Sequence, residues 1–135
     1  MVHSDRAKHT YLSPYRVDSE FASDIDSRKS MTGYLMSLNG GPISWKSSRQ
    51  GGVTLSSSEA EFVVASQAGQ EVVYLRVLLR CFGYTQKGPT EIWEDNASCI
   101  MMSETPTNQD RSRHVDVKGH FLRDLVSDGH VKLLK

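Results

Sequence analysis

The chain has 135 residues, which suits a single domain with one hydrophobic core. Lysine and arginine together number 16, and so do aspartate and glutamate, so the formal net charge is zero. This balance argues against coating of nucleic acid by bulk charge, although it is compatible with a local basic surface. Neither a membrane span nor a secretory signal is visible in the sequence, so we expect a protein that is not secreted and does not bind membranes.

The first half of the sequence predicts an antiparallel meander of three strands. Residues 1–12 are polar and are expected to form a flexible N-terminal segment, followed by one domain over residues 13–135. Alternation of apolar residues predicts three strands, at 13–22, 30–38 and 42–49. The Asn39-Gly40-Gly41 sequence between the last two strands is a strong β-hairpin signal.

The second half changes to a helical period. A long helix is predicted from Ser58 to about Phe82, with Gly83 ending it. Further along, the pattern predicts a strand, two helices and a last strand, at Thr90–Glu94, Asn96–Ser103, Ser112–Ser127 and His130–Leu134. The order β-β-β-α-β-α-α-β predicts a mixed α/β fold with helices packed on a sheet. The two cysteines, Cys81 and Cys99, form no disulfide or metal-binding pattern and are expected to be buried thiols.

Three carboxylates occupy unusual places in this pattern. Glu61 lies on the apolar stripe of the long helix, where a charge is costly unless it is paired or binds a metal; the alternative is a rim position that favours the helix dipole. Asp95 follows a short strand at the end where α/β sheets place ligand groups; the alternative is a helix N-cap. Asp18 shares one face of the first strand with Glu20; the alternative is a solvated face.

Taken together, these three acids predict a divalent-metal site. Clustered carboxylates stay ionised only with a cation between them. Ligation by oxygen alone suits Mg²⁺ and Mn²⁺. Two such ions ~3.5–4 Å apart can activate water and stabilise a leaving oxygen, which is the chemistry of phosphodiester hydrolysis.

Six blocks of the sequence, in order, carry a family resemblance that covers nearly the whole chain from about Tyr15. They are DSEFASD (18–24), DSRKSMTGY (26–34), GPISWKS (41–47), LSSSEAEF (55–62), DN (95–96) and RHVDV (113–117). These blocks resemble the ribonuclease H domain of copia-type LTR retrotransposon polyproteins.

The resemblance implies a ribonuclease H-like fold, with a five-stranded mixed sheet of order 3-2-1-4-5 and helices on both faces. The family's final helix, which carries a fourth carboxylate, is missing from this sequence, so a C-terminally truncated domain is expected. The implied activity is that of a divalent-metal-dependent endoribonuclease, which hydrolyses the RNA strand of RNA–DNA hybrids during reverse transcription with two Mg²⁺ or Mn²⁺ ions.

By motif, the catalytic and metal-binding residues are Asp18, Glu61 and Asp95. Glu61 is preferred to Glu59 because Glu59 projects about 200° away from the apolar face of the helix. His114 and Asp116 are candidate accessory residues, each with an ordinary structural alternative.

A local basic region is the expected surface for nucleic acid. Between Ser27 and Ser58 the sequence has four basic residues and no acid. Lysine and arginine there suit phosphates, and serines at a helix N-terminus suit phosphate or 2′-hydroxyl groups. The expected nucleic-acid-binding residues are Arg28, Lys29, Lys46, Ser56, Ser57, Ser58 and Asn96.

The implied partners are an RNA–DNA hybrid and the reverse transcriptase domain of the same polyprotein. A dimer through the sheet face that the missing helix leaves uncovered is a further expectation. The implied location is a cytoplasmic virus-like particle or the nucleus. The alternative function is a catalytically impaired or domesticated ribonuclease H-like remnant that acts as a nucleic-acid-binding module.

Overall fold

The computed structural model describes residues 12–13, 17–20, 31–51, 56–104 and 113–135. The side chains of the first two ranges, of Thr32 and of residues 113–116 lie outside this description. The elements in chain order are β1 (Leu12–Ser13), β2 (Val17–Glu20), β3 (Met31–Leu38), β4 (Gly41–Arg49), α1 (Ser57–Cys81), β5 (Thr90–Trp93), α2 (Ala97–Glu104), α3 (Arg113–Ser127) and β6 (Val131–Leu134). Apart from Leu12, which lies in β1, the predicted flexible segment 1–12 lies outside the described residues.

The predicted meander is present around the hairpin of β3 and β4. Asn39 and Gly40 both have positive φ angles, 51° and 85°, as a tight two-residue hairpin turn requires. β4 runs antiparallel to β3 from Leu38 opposite Gly41 to Met31 opposite Arg49. β1 and β2 pair with successive parts of β3, so both lie along its other edge.

The strands of the described residues form two sheets, whereas the sequence predicts a single five-stranded sheet. β1 to β4 form one sheet, and β5 pairs in parallel with β6 in the other. The predicted first strand is divided into β1 and β2. Three residues separate Ser13 from Val17, whereas two residues separate their partners on β3, Ser37 and Tyr34. This one-residue difference breaks the ladder, and β1 contacts β5 without a hydrogen-bonded ladder between the two strands. The predicted strand order 3-2-1-4-5 is therefore present as two parts. The predicted strands 3, 2 and 1 are β4, β3 and the pair β1 and β2 in one sheet, and the predicted strands 4 and 5 are β5 and β6 in the other.

α1 packs across both sheets and forms the centre of the core. It contacts β2 and β3 of the first sheet, β5 of the second sheet, and α3. The helix begins where the Ser56 hydroxyl accepts a hydrogen bond from the Glu59 N–H, and ends before Gly83, which has a φ of 88°. Its buried apolar stripe includes Phe62, Val64, Ala65, Ala68, Val72, Leu75 and Leu79. The predicted helix is thus confirmed in extent and in the face that it buries.

The described helices cover one face of the sheets, although the sequence predicts helices on both faces. In β5 and β6 the buried side chains of Ile92, Val131 and Leu133 face the helical core, and Trp93, which alternates with Ile92, is 44% exposed. Trp45 of β4 is 70% exposed. These tryptophans agree with the expected apolar surface, but the dimer itself stays a prediction.

The two cysteines differ in their exposure to solvent. Cys99 is buried, whereas Cys81 is exposed; the expectation that both thiols are buried is wrong for Cys81, because it lies near the solvent-facing C-terminal end of α1. Within the described ranges, no helix combines the length and apolar character needed to cross a membrane.

Two glycines allow α1 and α3 to approach closely. A Cβ atom at Gly119 of α3 would lie 2.8 Å from Cε1 of Phe62, a fully buried ring on α1. A Cβ atom at Gly69 of α1 would lie 2.9 Å from Cδ1 of Leu125, the end of a flexible side chain. The Ser66 hydroxyl also donates a hydrogen bond to the carbonyl of Lys118 across this interface. The crossing thus fixes Phe62 and, with it, the adjacent Glu61.

We expect Gly119→Ala to lower the free energy of unfolding by about 1–3 kcal/mol, because the Phe62 ring has no room to move. Gly69→Ala is the matched variant on the facing helix, and we expect it to change stability by less than about 1 kcal/mol, since helix propensity offsets a small shift of Leu125. Urea unfolding followed by circular dichroism measures both. Equal stability of Gly119→Ala and the wild type would contradict the tight crossing.

Candidate metal centre

Three carboxylates meet where the start of α1 approaches the end of β5. Glu61 lies on α1, and Glu94 and Asp95 directly follow β5. One carboxylate oxygen from each lies within 4.8 Å of the others. Glu61 and Glu94 are buried, at 6% and 1% exposure, whereas Asp95 is exposed. The cluster therefore has two buried acids and one acid at the surface.

The strand pattern explains why Glu94 faces inwards. Thr90, Ile92 and Glu94 are buried, and Glu91 and Trp93 between them are exposed, as the alternation of a strand requires. The Glu94 N–H also donates a 2.7 Å hydrogen bond to the Leu134 carbonyl, which extends the parallel ladder by one residue. The backbone thus places the Glu94 carboxylate on the core side of the second sheet.

Asn96 organises the polar groups around this cluster. Its backbone N–H donates to Glu94 Oε1 over 2.9 Å, and its Oδ1 accepts from the backbone N–H of Cys99 over 3.1 Å. Its Nδ2 donates to the Ser58 hydroxyl over 3.5 Å, which links β5 to the start of α1. Asn96 therefore caps α2. The alternative in which Asp95 is the helix cap is wrong.

The electrostatics of the cluster favour a proton or a cation. The pKa of Glu94 is raised to about 8, chiefly by burial, with the negative charges of Glu61 and Asp95 contributing in the same direction and the Asn96 N–H opposing them. Burial also raises the pKa of the Cys99 thiol, and the charges of Glu94 and Glu61 add to that effect. The donors are carboxylate oxygens, which fit hard divalent cations such as Mg²⁺ and Mn²⁺.

The structure brings together two of the three predicted catalytic acids, Glu61 and Asp95. The third, Asp18, lies in β2, which pairs with β3 and contacts α1, but its side chain lies outside the described part. Glu94 was not predicted, although the alternation Thr90-Glu91-Ile92-Trp93-Glu94 contained the signal that it shares the buried face with Ile92.

Several of the predicted nucleic-acid-binding residues lie at the start of α1, next to the carboxylates. Ser56 and Ser57 are exposed, and Ser58 is half-buried. The Ser56 hydroxyl accepts from the Glu59 N–H over 3.2 Å, and the Ser58 hydroxyl accepts from Asn96. Ser56 and Ser58 therefore have structural roles in the free protein. Arg28 and Lys29 lie outside the described residues, as do the side chains of His114 and Asp116 in α3.

Lys46 lies in a separate groove between β4, α1 and α3. This groove has a volume of about 390 Å³ and is lined by Tyr34, Lys46, Gln67, Gln70, Glu71 and Lys118. Glu71 is held by a 2.6 Å hydrogen bond from the Ser44 hydroxyl. Lys118 is a second lysine on this surface, which the sequence did not indicate because it comes from α3, far along the chain.

Comparison with known proteins agrees with this geometry. The chain is 41% identical over 118 residues to the retrovirus-related Pol polyprotein from transposon TNT 1-94 of Nicotiana tabacum, a match that covers 87% of the chain and 9% of the polyprotein. It is 32% identical over 117 residues to the corresponding polyprotein from transposon RE2 of Arabidopsis thaliana, covering 87% and 8%. The chain thus spans less than a tenth of these relatives. No protein-family model matches the sequence.

Two other matches are informative. The chain is 49% identical over 63 residues to Secreted RxLR effector protein 161 of Plasmopara viticola, which covers 47% of the chain and 44% of the effector. The crystal structure of RNase H1 from the halophilic archaeon Halobacterium salinarum superposes with a TM-score of 0.55 and 15% identity, covering 92% of the chain and 83% of the enzyme.

The fold is therefore the mixed α/β fold of ribonuclease H. The chain is homologous to a segment of the retrovirus-related Pol polyproteins of copia-type transposons, which confirms the resemblance carried by its sequence blocks.

We expect the stability of the metal-free protein to fall as the pH rises. Between the ordinary pKa of 4.5 and about 8, folded Glu94 keeps a proton that the unfolded chain has released. The stability from this group is therefore complete below pH 4.5 and is lost as the pH approaches and passes 8, by an amount on the order of a few kcal/mol. Urea unfolding in EDTA across pH 5–8.5 measures this slope.

Glu94→Gln should reduce the dependence of the free energy of unfolding on pH. Glu91→Gln, on the exposed face of the same strand, should leave this dependence unchanged. An unaltered slope in Glu94→Gln would assign the pH dependence to other groups.

Proposed function

We propose that the chain is a divalent-metal-dependent endoribonuclease that hydrolyses the RNA strand of RNA–DNA hybrids. The observation that carries this proposal is the meeting of Glu61 and Asp95 with their carboxylate oxygens within 4.8 Å of each other, in a ribonuclease H fold. The polyprotein relatives support a role in reverse transcription. Asp18 is proposed as the third catalytic carboxylate, on the strand that packs against α1.

In this proposal, three acids bind the cations, and Asn96 positions one of them. Asp18, Glu61 and Asp95 would hold two Mg²⁺ or Mn²⁺ ions, which when bound would supply the Lewis acidity for activating water and stabilising the leaving oxygen. Asn96 fixes the turn that carries Asp95, through its hydrogen bonds to Glu94, Cys99 and Ser58. Because Asp95 is exposed at this turn, it lies where a phosphodiester could approach.

The proposed substrate surface begins at the N-terminus of α1. Ser56 and Ser57 are exposed there, beside the carboxylates, and suit contacts with phosphate or with the 2′-hydroxyl groups of an RNA strand. Lys46 and Lys118 add positive charge in the neighbouring groove. Arg28 and Lys29 are proposed to continue this surface, as candidate phosphate contacts from residues outside the described part. His114 and Asp116 remain proposed accessory residues.

The proposed partners follow from the relatives. The reverse transcriptase domain of the same polyprotein is the proposed neighbour of this domain, in a cytoplasmic virus-like particle or in the nucleus. A dimer through the exposed apolar side chains of Trp45 and Trp93 is the proposed self-association.

The similarity to the secreted effector favours one alternative function. A related segment occurs there outside a Pol polyprotein. The alternative is a catalytically impaired or domesticated ribonuclease H-like module that binds nucleic acid without cutting it. Such a module would bind an RNA–DNA hybrid whether or not a divalent cation is present.

We expect the chain to cleave a labelled RNA strand in an RNA–DNA hybrid when Mg²⁺ or Mn²⁺ is added. Asp18→Asn, Glu61→Gln and Asp95→Asn should each reduce the rate on the order of 100-fold, because each removes a ligand charge. Glu59→Gln is the matched control, since Glu59 lies two residues from Glu61 on another face of the helix and should leave cleavage unchanged. Hybrid binding without cleavage by the wild type would support the alternative.

We expect Lys46→Ala to weaken hybrid binding severalfold and to reduce the slope of log affinity against log salt concentration by about 1, as loss of one phosphate contact predicts. Lys87→Ala, an exposed lysine in the loop before β5, should change neither quantity. Fluorescence anisotropy with a labelled hybrid between 50 and 200 mM salt, the range over which phosphate contacts alter affinity strongly, measures both. Equal effects of the two substitutions would place the hybrid elsewhere.

A further inference from the structure

We propose that Glu94 is an additional ligand of the divalent cation at Glu61 and Asp95, holding the ion from the buried side of the site. This inference rests on the proposed function and names a fourth carboxylate beyond the predicted Asp18, Glu61 and Asp95. It concerns cation binding by the chain itself, so it can be tested without substrate.

The geometry of Glu94 separates its two oxygens into different roles. The residue is 1% exposed, and Oε1 accepts the hydrogen bond from the Asn96 N–H. Oε2 is buried and has no hydrogen-bond partner among the described residues. A ligand oxygen of Glu94 lies within 4.8 Å of ligand oxygens of both Glu61 and Asp95. One oxygen thus anchors the side chain, while the other is available to a ligand within the cluster.

The acidic surroundings of Glu94 favour a cation at this point when its carboxylate is ionised. The neighbours of Glu94 in the cluster are Glu61 and Asp95, both acids, each with a carboxylate oxygen within 4.8 Å of one from Glu94. A buried carboxylate without a counter-charge is costly, and in proteins such groups are usually paired or bound to a metal. A divalent cation among the three acids would offset these charges and use the oxygen that lacks a partner.

The different exposure of Glu94 and Asp95 predicts different roles for these two ligands. Asp95 is exposed and would stand between the ion and solvent or substrate. Glu94 is enclosed by the core and fixed at both ends, by the backbone hydrogen bond to Leu134 and by the Asn96 N–H on its carboxylate. Its loss should therefore act first on cation affinity.

The purely structural alternative is that Glu94 serves to accept the Asn96 N–H and so to shape the turn before α2. Glu94→Gln separates the two roles, because the glutamine side-chain oxygen can still accept that hydrogen bond while the ligand charge is lost. Glu91→Gln is the matched control on the exposed face of the same strand.

The experiment measures Mn²⁺ binding to the full chain by isothermal titration calorimetry, together with the shift in melting temperature that Mn²⁺ produces. We expect Glu94→Gln to weaken Mn²⁺ binding on the order of 10-fold or more and to reduce the Mn²⁺-induced shift. Its melting temperature in EDTA at or above pH 8 should equal or exceed that of the wild type, because the ionised form of Glu94 is costly in this buried position. Glu91→Gln should behave as the wild type does.

If Glu94→Gln does not fold, Glu94→Asp provides the second variant. It keeps the charge but shortens the side chain by one methylene, so we expect weakened Mn²⁺ binding with a folded protein.

The outcomes distinguish this inference from the proposed function. If Glu94→Gln binds Mn²⁺ as the wild type does while Glu61→Gln and Asp95→Asn bind it weakly, Glu94 is not a ligand and the proposed metal site stands. If the wild type binds no Mn²⁺, both the inference and the metal-dependent function are overturned. Equal losses in Glu94→Gln and Glu91→Gln would also overturn the inference, because the effect would then be general to the strand.

Discussion

The packing of α1 across two sheets is the constraint on which the rest of the molecule depends. The sheet of β1 to β4 and the pair β5–β6 share no hydrogen-bonded ladder among the described residues, but α1 contacts both. Its first turns pack through Phe62 against Gly119 of α3, and Ser58 accepts a hydrogen bond from Asn96, just after β5. Because of this contact, Glu61 from one part of the chain meets Glu94 and Asp95 from another.

The carboxylates proposed to bind metal lower the stability of the metal-free protein. Burying Glu61 and Glu94 together costs free energy in the metal-free protein, since each acid disfavours the charge of the other. The scaffold tolerates this cost because the surrounding groups are fixed by the core and by the hydrogen bonds of Asn96. A cation held between these acids would offset their charges, which is the basis of the proposed metal site.

The features proposed to bind substrate lie along α1, from its N-terminus to a groove near its middle. The helix N-terminus presents Ser56 and Ser57 beside the carboxylates, and Lys46 lies in a groove further along the helix, with Lys118 from α3. A net charge of zero therefore hides an uneven distribution, with three acids gathered at one point and two lysines in a separate groove. The chain corresponds to less than a tenth of its polyprotein relatives.

Local sequence patterns determined the elements, and tertiary contacts determined the site. Periodicity predicted α1 and the face that it buries, and the Asn39-Gly40 turn predicted the hairpin, because both depend on neighbouring residues. The sequence also singled out Glu61 and Asp95. It did not show that the strands form two sheets, which depends on how β1 and β5 lie relative to each other in space. Nor did it reveal Glu94 as a member of the cluster, since that depends on which face of β5 meets α1, and only long-range packing decides that contact.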